Sequence, residues 1–228
     1  MTTKHLIWDL PLRIFHWVLV VTIAVAWYTS DQDNGVIDYH LICGYVALGL
    51  MVFRILWGFF GTRHSQFKNF IPTPNKLINY VKQNEQAKEP AGHNPLGSLM
   101  VVFMLTIILL QAISGLFMND DIFTAGPYNG AIDKDIEAIL VFIHRNSFDF
   151  ILGAIAMHII AIIGYKKFKN KSLVLPMITG KKSSKDVSES DGIKHSKIIL
   201  AVIIALAVAA FIYWLVIINA PVVEEYYY

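Results

Sequence analysis

Charge is scarce in this chain. Only 16% of its 228 residues are Asp, Glu, Lys or Arg, while 55% are hydrophobic. A soluble domain of this length carries more charge than that, so the soluble globular class is excluded. Cysteine occurs once, at Cys43. That excludes an internal disulfide and a cysteine-ligated metal cluster, and leaves a thiol that packs within a helix. The N-terminal stretch Met1–Leu10 lacks a signal-peptide pattern and a cleavage site, so the first apolar run reads as a retained span. The net charge of +2 is unremarkable, and no nucleic acid is expected as a partner.

What the chain does contain is a set of long apolar runs, the mark of a multi-pass membrane protein whose first partner is the lipid bilayer. Five spans are expected: Leu12–Tyr28, Tyr39–Phe60, Leu96–Phe117, the run Leu140–Tyr165, and Ile198–Ala220. Asn94-Pro95 reads as a helix N-cap followed by proline at the first helical position. The stretch Asn75–Lys88 is expected to form a surface helix. The expected organisation is a four-helix transmembrane domain over residues 1–182, a flexible linker over 183–197, a fifth transmembrane helix over 198–220 and a tail over 221–228. The three terminal tyrosines suggest no role.

Lysine and arginine are unevenly spread, and that bias sets orientation. The loop Asp31–Asp38 has none and the loop Asn119–Glu137 has only Lys134. By contrast Gly61–His93 carries Arg63, Lys68, Lys76, Lys82 and Lys88, and Lys166–Lys197 carries nine lysines. The N-terminus and both basic segments are therefore expected on the cytoplasmic side, with the acidic loops and the C-terminus outside. Asp120, Asp121, Asp133, Asp135 and Glu137 either steer a basic docking surface or are simply solvated.

Histidines inside apolar spans carry the chemistry. His144 and His158 are fourteen residues apart, so they share a helix face to within about 40° and lie ~21 Å apart along the axis. A histidine in a span is costly unless it faces the bundle interior with a partner. By depth, His40 pairs with His144 toward the outer side, and His16 with His158 toward the inner side. Two imidazoles on different helices at one height are what bis-histidine haem ligation in a helical bundle requires. The ring nitrogen left over needs its own acceptor, expected to be a backbone carbonyl one turn back. Gly44, Gly153, Ala154, Ser114-Gly115 and Gly97 are small enough to let a porphyrin approach the backbone. Arg54 and Arg145 are expected to meet the inner and outer haem propionates. The competing readings are histidines that only pack helices, or a proton relay or transport site.

The residues together resemble a known family. The opening Trp8-Asp9-Leu10-Pro11-Leu12-Arg13-Ile14-Phe15-His16-Trp17 is similar to the start of bacterial membrane di-haem cytochromes b, which include the cytochrome b subunit of nickel–iron hydrogenases. Also similar are His40 with Gly44-Tyr45, the run Phe53-Arg54…Trp57-Gly58-Phe59, His93-Asn94-Pro95-Leu96-Gly97, Gly115-Leu116-Phe117, the His144/His158 pair and Met177-Ile178-Thr179-Gly180-Lys181. The likeness covers roughly residues 6–182, and the fifth span falls outside it.

The resemblance implies an all-α integral membrane fold. A four-helix antiparallel bundle would bind two b-type haems through His16, His40, His144 and His158, with one peripheral C-terminal helix, in the bacterial cytoplasmic (inner) membrane. The expected function is transmembrane electron transfer between the quinone pool and a redox partner, either a periplasmic hydrogenase-like enzyme or a cytochrome c. Irons saturated by two histidines favour electron transfer over oxygen chemistry. A quinone would meet hydrogen-bonding groups near Arg54, His93 and Asn94. Two alternatives stay open: a stand-alone quinone reductase with a small outer-side donor, and a haem-free transporter or interaction protein.

Overall fold

The structure, a computed structural model, describes residues 3–30, 36–82, 90–119 and 124–221. Much of the acidic loop after the first span, together with Lys88, Asp120, Asp121 and the terminal tyrosines, lies outside the described residues.

Among the described residues five helices are long and apolar enough to cross a membrane: α1 (Leu10–Tyr28), α2 (Ile37–Phe60), α5 (Pro95–Gly115), α6 (Lys134–Lys169) and α8 (Ile198–Tyr213), which continues as a π turn over Trp214–Ile218. Short pieces lie between them: α3 (Phe67–Phe70), α4 (Pro74–Lys82) and α7 (Val174–Thr179). Strand β1 (Lys4–Leu6) pairs antiparallel with β2 (Lys181–Ser183), with His5 opposite Lys182. The fold is all-α and of membrane type. Large apolar side chains such as Val21, Phe142, Ile160 and Ile199 are exposed, as lipid-facing positions require.

Local sequence accounts for the helix ends. Asp9 caps α1 by accepting from the Leu12 amide at 2.8 Å, and Pro11 sits in the first turn, where a missing N–H costs nothing. Asn94 caps α5 by accepting from the Gly97 amide at 2.7 Å, with Pro95 as first helical residue. Helix α6 carries Asp135 and Glu137 in its first turn and Lys166, Lys167 and Lys169 in its last, each sign matched to the helix dipole. Its 36 residues span about 54 Å, so it projects well beyond a bilayer core of roughly 30 Å.

The described chain divides into two compact units, each drawing on several helices. The first comprises Met1–His16, Arg54–Met104 and Gly153–Ile204; the second comprises Trp17–Phe53, Leu105–Leu152 and Ala205–Tyr228.

Asp9 is the polar centre of the first unit and is fully buried. Besides the Leu12 amide, its carboxylate accepts from Trp57 Nε1 at 3.1 Å and from the hydroxyls of Thr62 and Ser65. These bonds fasten the start of α1 to the end of α2 and the turn after it. The segment 183–197, expected as a flexible linker, is instead tied into this unit. Ile193 N donates to Leu6 O, Arg63 Nη1 to Ser190 O, His64 Nε2 to Asp191 O, and Ser196 Oγ accepts from the Leu10 amide. Serine and charge made the segment look loose; long-range backbone hydrogen bonds, invisible to composition, order it.

In the second unit the fifth span docks through one face. Val208, Ile212 and Val216 are buried at helical spacing. A Cβ on Gly49 of α2 would lie 3.5 Å from Ile212 and 3.9 Å from Val208. The Tyr128 hydroxyl donates to Leu215 O at 3.0 Å in the π turn and accepts from Asn219 Nδ2 at 3.1 Å.

Candidate functional site

The second unit brings His40 of α2 and His144 of α6 opposite each other, with ring centroids 6.1 Å apart and ring planes perpendicular, at 89°. His40 Nδ1 donates to Ala26 O of α1 at 2.8 Å, and His144 Nδ1 donates to Gln111 O of α5 at 2.9 Å. A carbonyl only accepts, so both rings carry their proton on Nδ1. The Nε2 lone pairs are left for a metal. The acceptors are not one turn back on the same helix, as expected from sequence, but on neighbouring helices. Both lie at or next to a last helical turn, where backbone carbonyls run short of intrahelical donors.

These histidines line a cavity of about 370 Å³, within the range of cofactor sites. Gly44, Gly115, Cys43, Tyr45 and Arg145 share its wall. The residues fit a bis-histidine haem on three observations. Two metal–imidazole bonds of about 2 Å plus the depth of two rings account for the 6.1 Å separation. A Cβ on Gly44 would meet nothing within 4 Å, so its face is open as a cradle. Arg145 supplies a cation at the cavity wall.

Gln111 was not foreseen from sequence. Its side chain donates to His144 O at 3.0 Å and accepts from the Ser147 hydroxyl, clasping the helix turn that bears His144. The signal was there: an amide within an otherwise apolar span is expensive unless something holds it. Gly115 completes the fit, since a Cβ there would come within 2.9 Å of His144 Cε1. Gly115→Val is therefore expected to displace the imidazole. Haem retention at that pair should weaken by roughly 10–100-fold, the range for disturbing the support of a metal ligand; haem per purified chain is the check.

In the first unit His16 of α1 and His158 of α6 lie within electrostatic range of each other. A Cβ on Gly153 of α6 would meet nothing within 4 Å. Gly97 sits instead against the Asn94 cap, 3.2 Å from its Oδ1, so its smallness serves the helix start. Arg54 is 2% exposed. Its Nη1 donates to Ser65 O at 3.1 Å, and its guanidinium lies over Phe67 and Phe70. His93 packs on Trp8 at 4.7 Å and on Phe70 at 5.1 Å. Burial, then the nearby charges of Arg54, Lys182, His64 and His158, push its pKa down to about 3, so it is neutral at physiological pH. The Asn94 amide donates to the Tyr165 hydroxyl, which shares a hydrogen bond of 3.0 Å with Tyr80 of α4.

A family model described as prokaryotic cytochrome b561 matches residues 7–180. A probable Ni/Fe-hydrogenase B-type cytochrome subunit of Rhodobacter capsulatus is 25% identical over 222 residues, covering 81% of this chain and 83% of that protein. Its namesake in Azotobacter vinelandii is 27% identical over 141 residues, covering 50% of this chain and 58% of the relative. A probable Ni/Fe-hydrogenase 1 B-type cytochrome subunit of Escherichia coli (strain K12) is 25% identical over 135 residues, covering 45% and 57%. No solved structure matches the chain. The family match ends before α8, so the fifth span lies outside it.

Proposed function

Because the chain belongs to the prokaryotic cytochrome b561 family, we propose that this membrane b-type cytochrome carries electrons between the quinone pool and a redox partner through two bis-histidine haems. Haem supplies one-electron exchange at its iron. The facing of His40 and His144 across a cavity, each with Nδ1 tied to a backbone carbonyl, is the observation that carries this reading.

His40 and His144 would hold one group, and His16 and His158 the other. Ala26 O and Gln111 O keep the Nδ1–H tautomers in place, so each Nε2 presents its lone pair without a proton to displace. With two histidines holding each haem, the sites would support electron transfer rather than oxygen chemistry. Arg145 would bind a propionate at the cavity wall. In the first unit Asn94, Tyr165 and Tyr80 bring an amide and two hydroxyls together, the groups proposed for quinone carbonyls.

We place the N-terminus and the two basic segments on the cytoplasmic side of the inner membrane and the C-terminus on the periplasmic side, on the lysine and arginine bias of the loops. Residues 1–182 would form the haem-binding domain, with the fifth span added to it. The names of the relatives favour a periplasmic hydrogenase-like partner over a cytochrome c.

Addition of a quinol to purified protein tests the reading. Reduced b-type absorption bands should appear without a chemical reductant. A protein purified without those bands, or with bands indifferent to quinol, would contradict it.

A further inference from the structure

Arg54 poses a problem that the rest of the first unit does not solve. It is a cation with 2% exposure, and a buried charge is costly unless an opposite charge and full hydrogen bonding accompany it. Its Nη1 has Ser65 O, but its Nη2 is enclosed without a hydrogen-bond partner among the described residues. No described carboxylate lies within ion-pair distance of it; Asp9, the buried acid of this unit, acts on its charge from farther off and is itself hydrogen-bonded to Trp57, Thr62, Ser65 and the Leu12 amide.

A second enclosed nitrogen without a partner lies in the same place. His93 Nδ1 is fully enclosed and has none among the described residues. The two side chains share a neighbour: the Phe70 ring is 5.6 Å from the Arg54 guanidinium carbon and 5.1 Å from the His93 ring. His93 also interacts electrostatically with Arg54 and with His158, one of the histidines assigned above to haem. Two vacant nitrogens of this kind beside a buried cation ask for an anionic oxygen acceptor. A neutral quinone carbonyl would satisfy a donor but add no countercharge beyond that of the more distant Asp9; a carboxylate at the nitrogens supplies both.

We infer that Arg54 and His93 form a two-donor seat for a carboxylate, and that the carboxylate is a propionate of the haem held by His16 and His158. The inference rests on the two-haem reading above and assigns His93 to the cofactor rather than to quinone. Arg54 supplies the countercharge, and His93 supplies a second donor through Nδ1.

The test uses the full chain purified in detergent. The haem in question is first identified as the spectral component lost in His16→Ala. Resonance Raman spectra and redox titrations are then compared for His93→Leu, His93→Gln and Arg54→Lys. His93→Leu should shift the propionate bending band of that haem while haem content stays at the wild-type level. His93→Gln, which restores a donor, should return the band toward its wild-type position. Arg54→Lys keeps the charge but loses the fork, so it should shift the same band with only a small fall in midpoint potential. Arg54→Met should lower that potential further, because a lost cation disfavours the added electron. If Arg54→Met purifies without haem, the His93 pair decides.

A band and potential unmoved by both His93 substitutions, with the haem present, would overturn the seat while leaving the two-haem reading intact. A wild-type band that moves with added acetate at constant ionic strength would assign the seat to a soluble anion and overturn the propionate assignment. Absence of any component dependent on His16 would remove both the haem reading and the seat.

Discussion

His144→Ala is expected to lower the b-type haem content of the purified protein from two equivalents per chain to one. The ring of His144 faces His40 at 6.1 Å across the cavity, and its Nδ1 is already committed to Gln111 O. No other described histidine lines that cavity, so no substitute ligand is at hand. His40→Ala should give the same loss, and the double variant no more than either single one, because both ligands would serve one iron. His16→Ala and His158→Ala should each remove the complementary component and spare the first. Pyridine haemochrome assays give the count, and the reduced spectra show which component remains. A His144→Ala protein that keeps both components would refute the assignment of that pair.

The second large effect concerns stability rather than cofactor. Asp9→Ala should destabilise the protein by about 4 kcal/mol. The substitution strands the buried donors of Trp57, Thr62 and Ser65 and removes the cap of α1, with each stranded buried donor costing roughly 1–3 kcal/mol and the terms overlapping. For a chain of this size that corresponds to a fall in Tm of about 8–16 °C. Asp9→Asn keeps the shape and one acceptor oxygen, and should cost less than half as much. Thermal unfolding in detergent, followed by circular dichroism, is the check; a Tm within two or three degrees of wild type for Asp9→Ala would mean that the hub is not structural.

Much of this architecture could be read from the chain alone, for identifiable reasons. Apolar runs in a lipid environment force helices, so four of the five spans were legible to within two residues at each end, while α6 starts at Lys134, inside the stretch expected as an acidic loop, because its polar first turn carries no apolar signal. Rise per residue suggested which histidines could share a level, and the structure sets the rings of His40 and His144 6.1 Å apart. The cap at Asn94 was legible because Asn-Pro has few other uses.

What escaped were contacts between residues distant in sequence. The hub at Asp9 joins positions some fifty residues apart. The acceptors at Ala26 and Gln111 lie on other helices from the histidines they orient. The stretch 183–197 is composed like a linker yet hydrogen-bonds to the N-terminal strand and to the turn after α2. None of these leaves a periodic trace, since a partner on another element, fourteen to nearly two hundred residues away, imposes no spacing. Buried polar residues in apolar surroundings, such as Gln111, are the one local signal that such a partner exists.

The central claim is that this chain holds two haems, each gripped by one pair of histidines from different helices. A potentiometric titration of the visible spectrum of the purified protein tests it most directly. Two one-electron b-type components per chain are predicted, one absent in His144→Ala and the other absent in His16→Ala. A single component, or a loss of both in either variant with the protein still folded, would contradict the account.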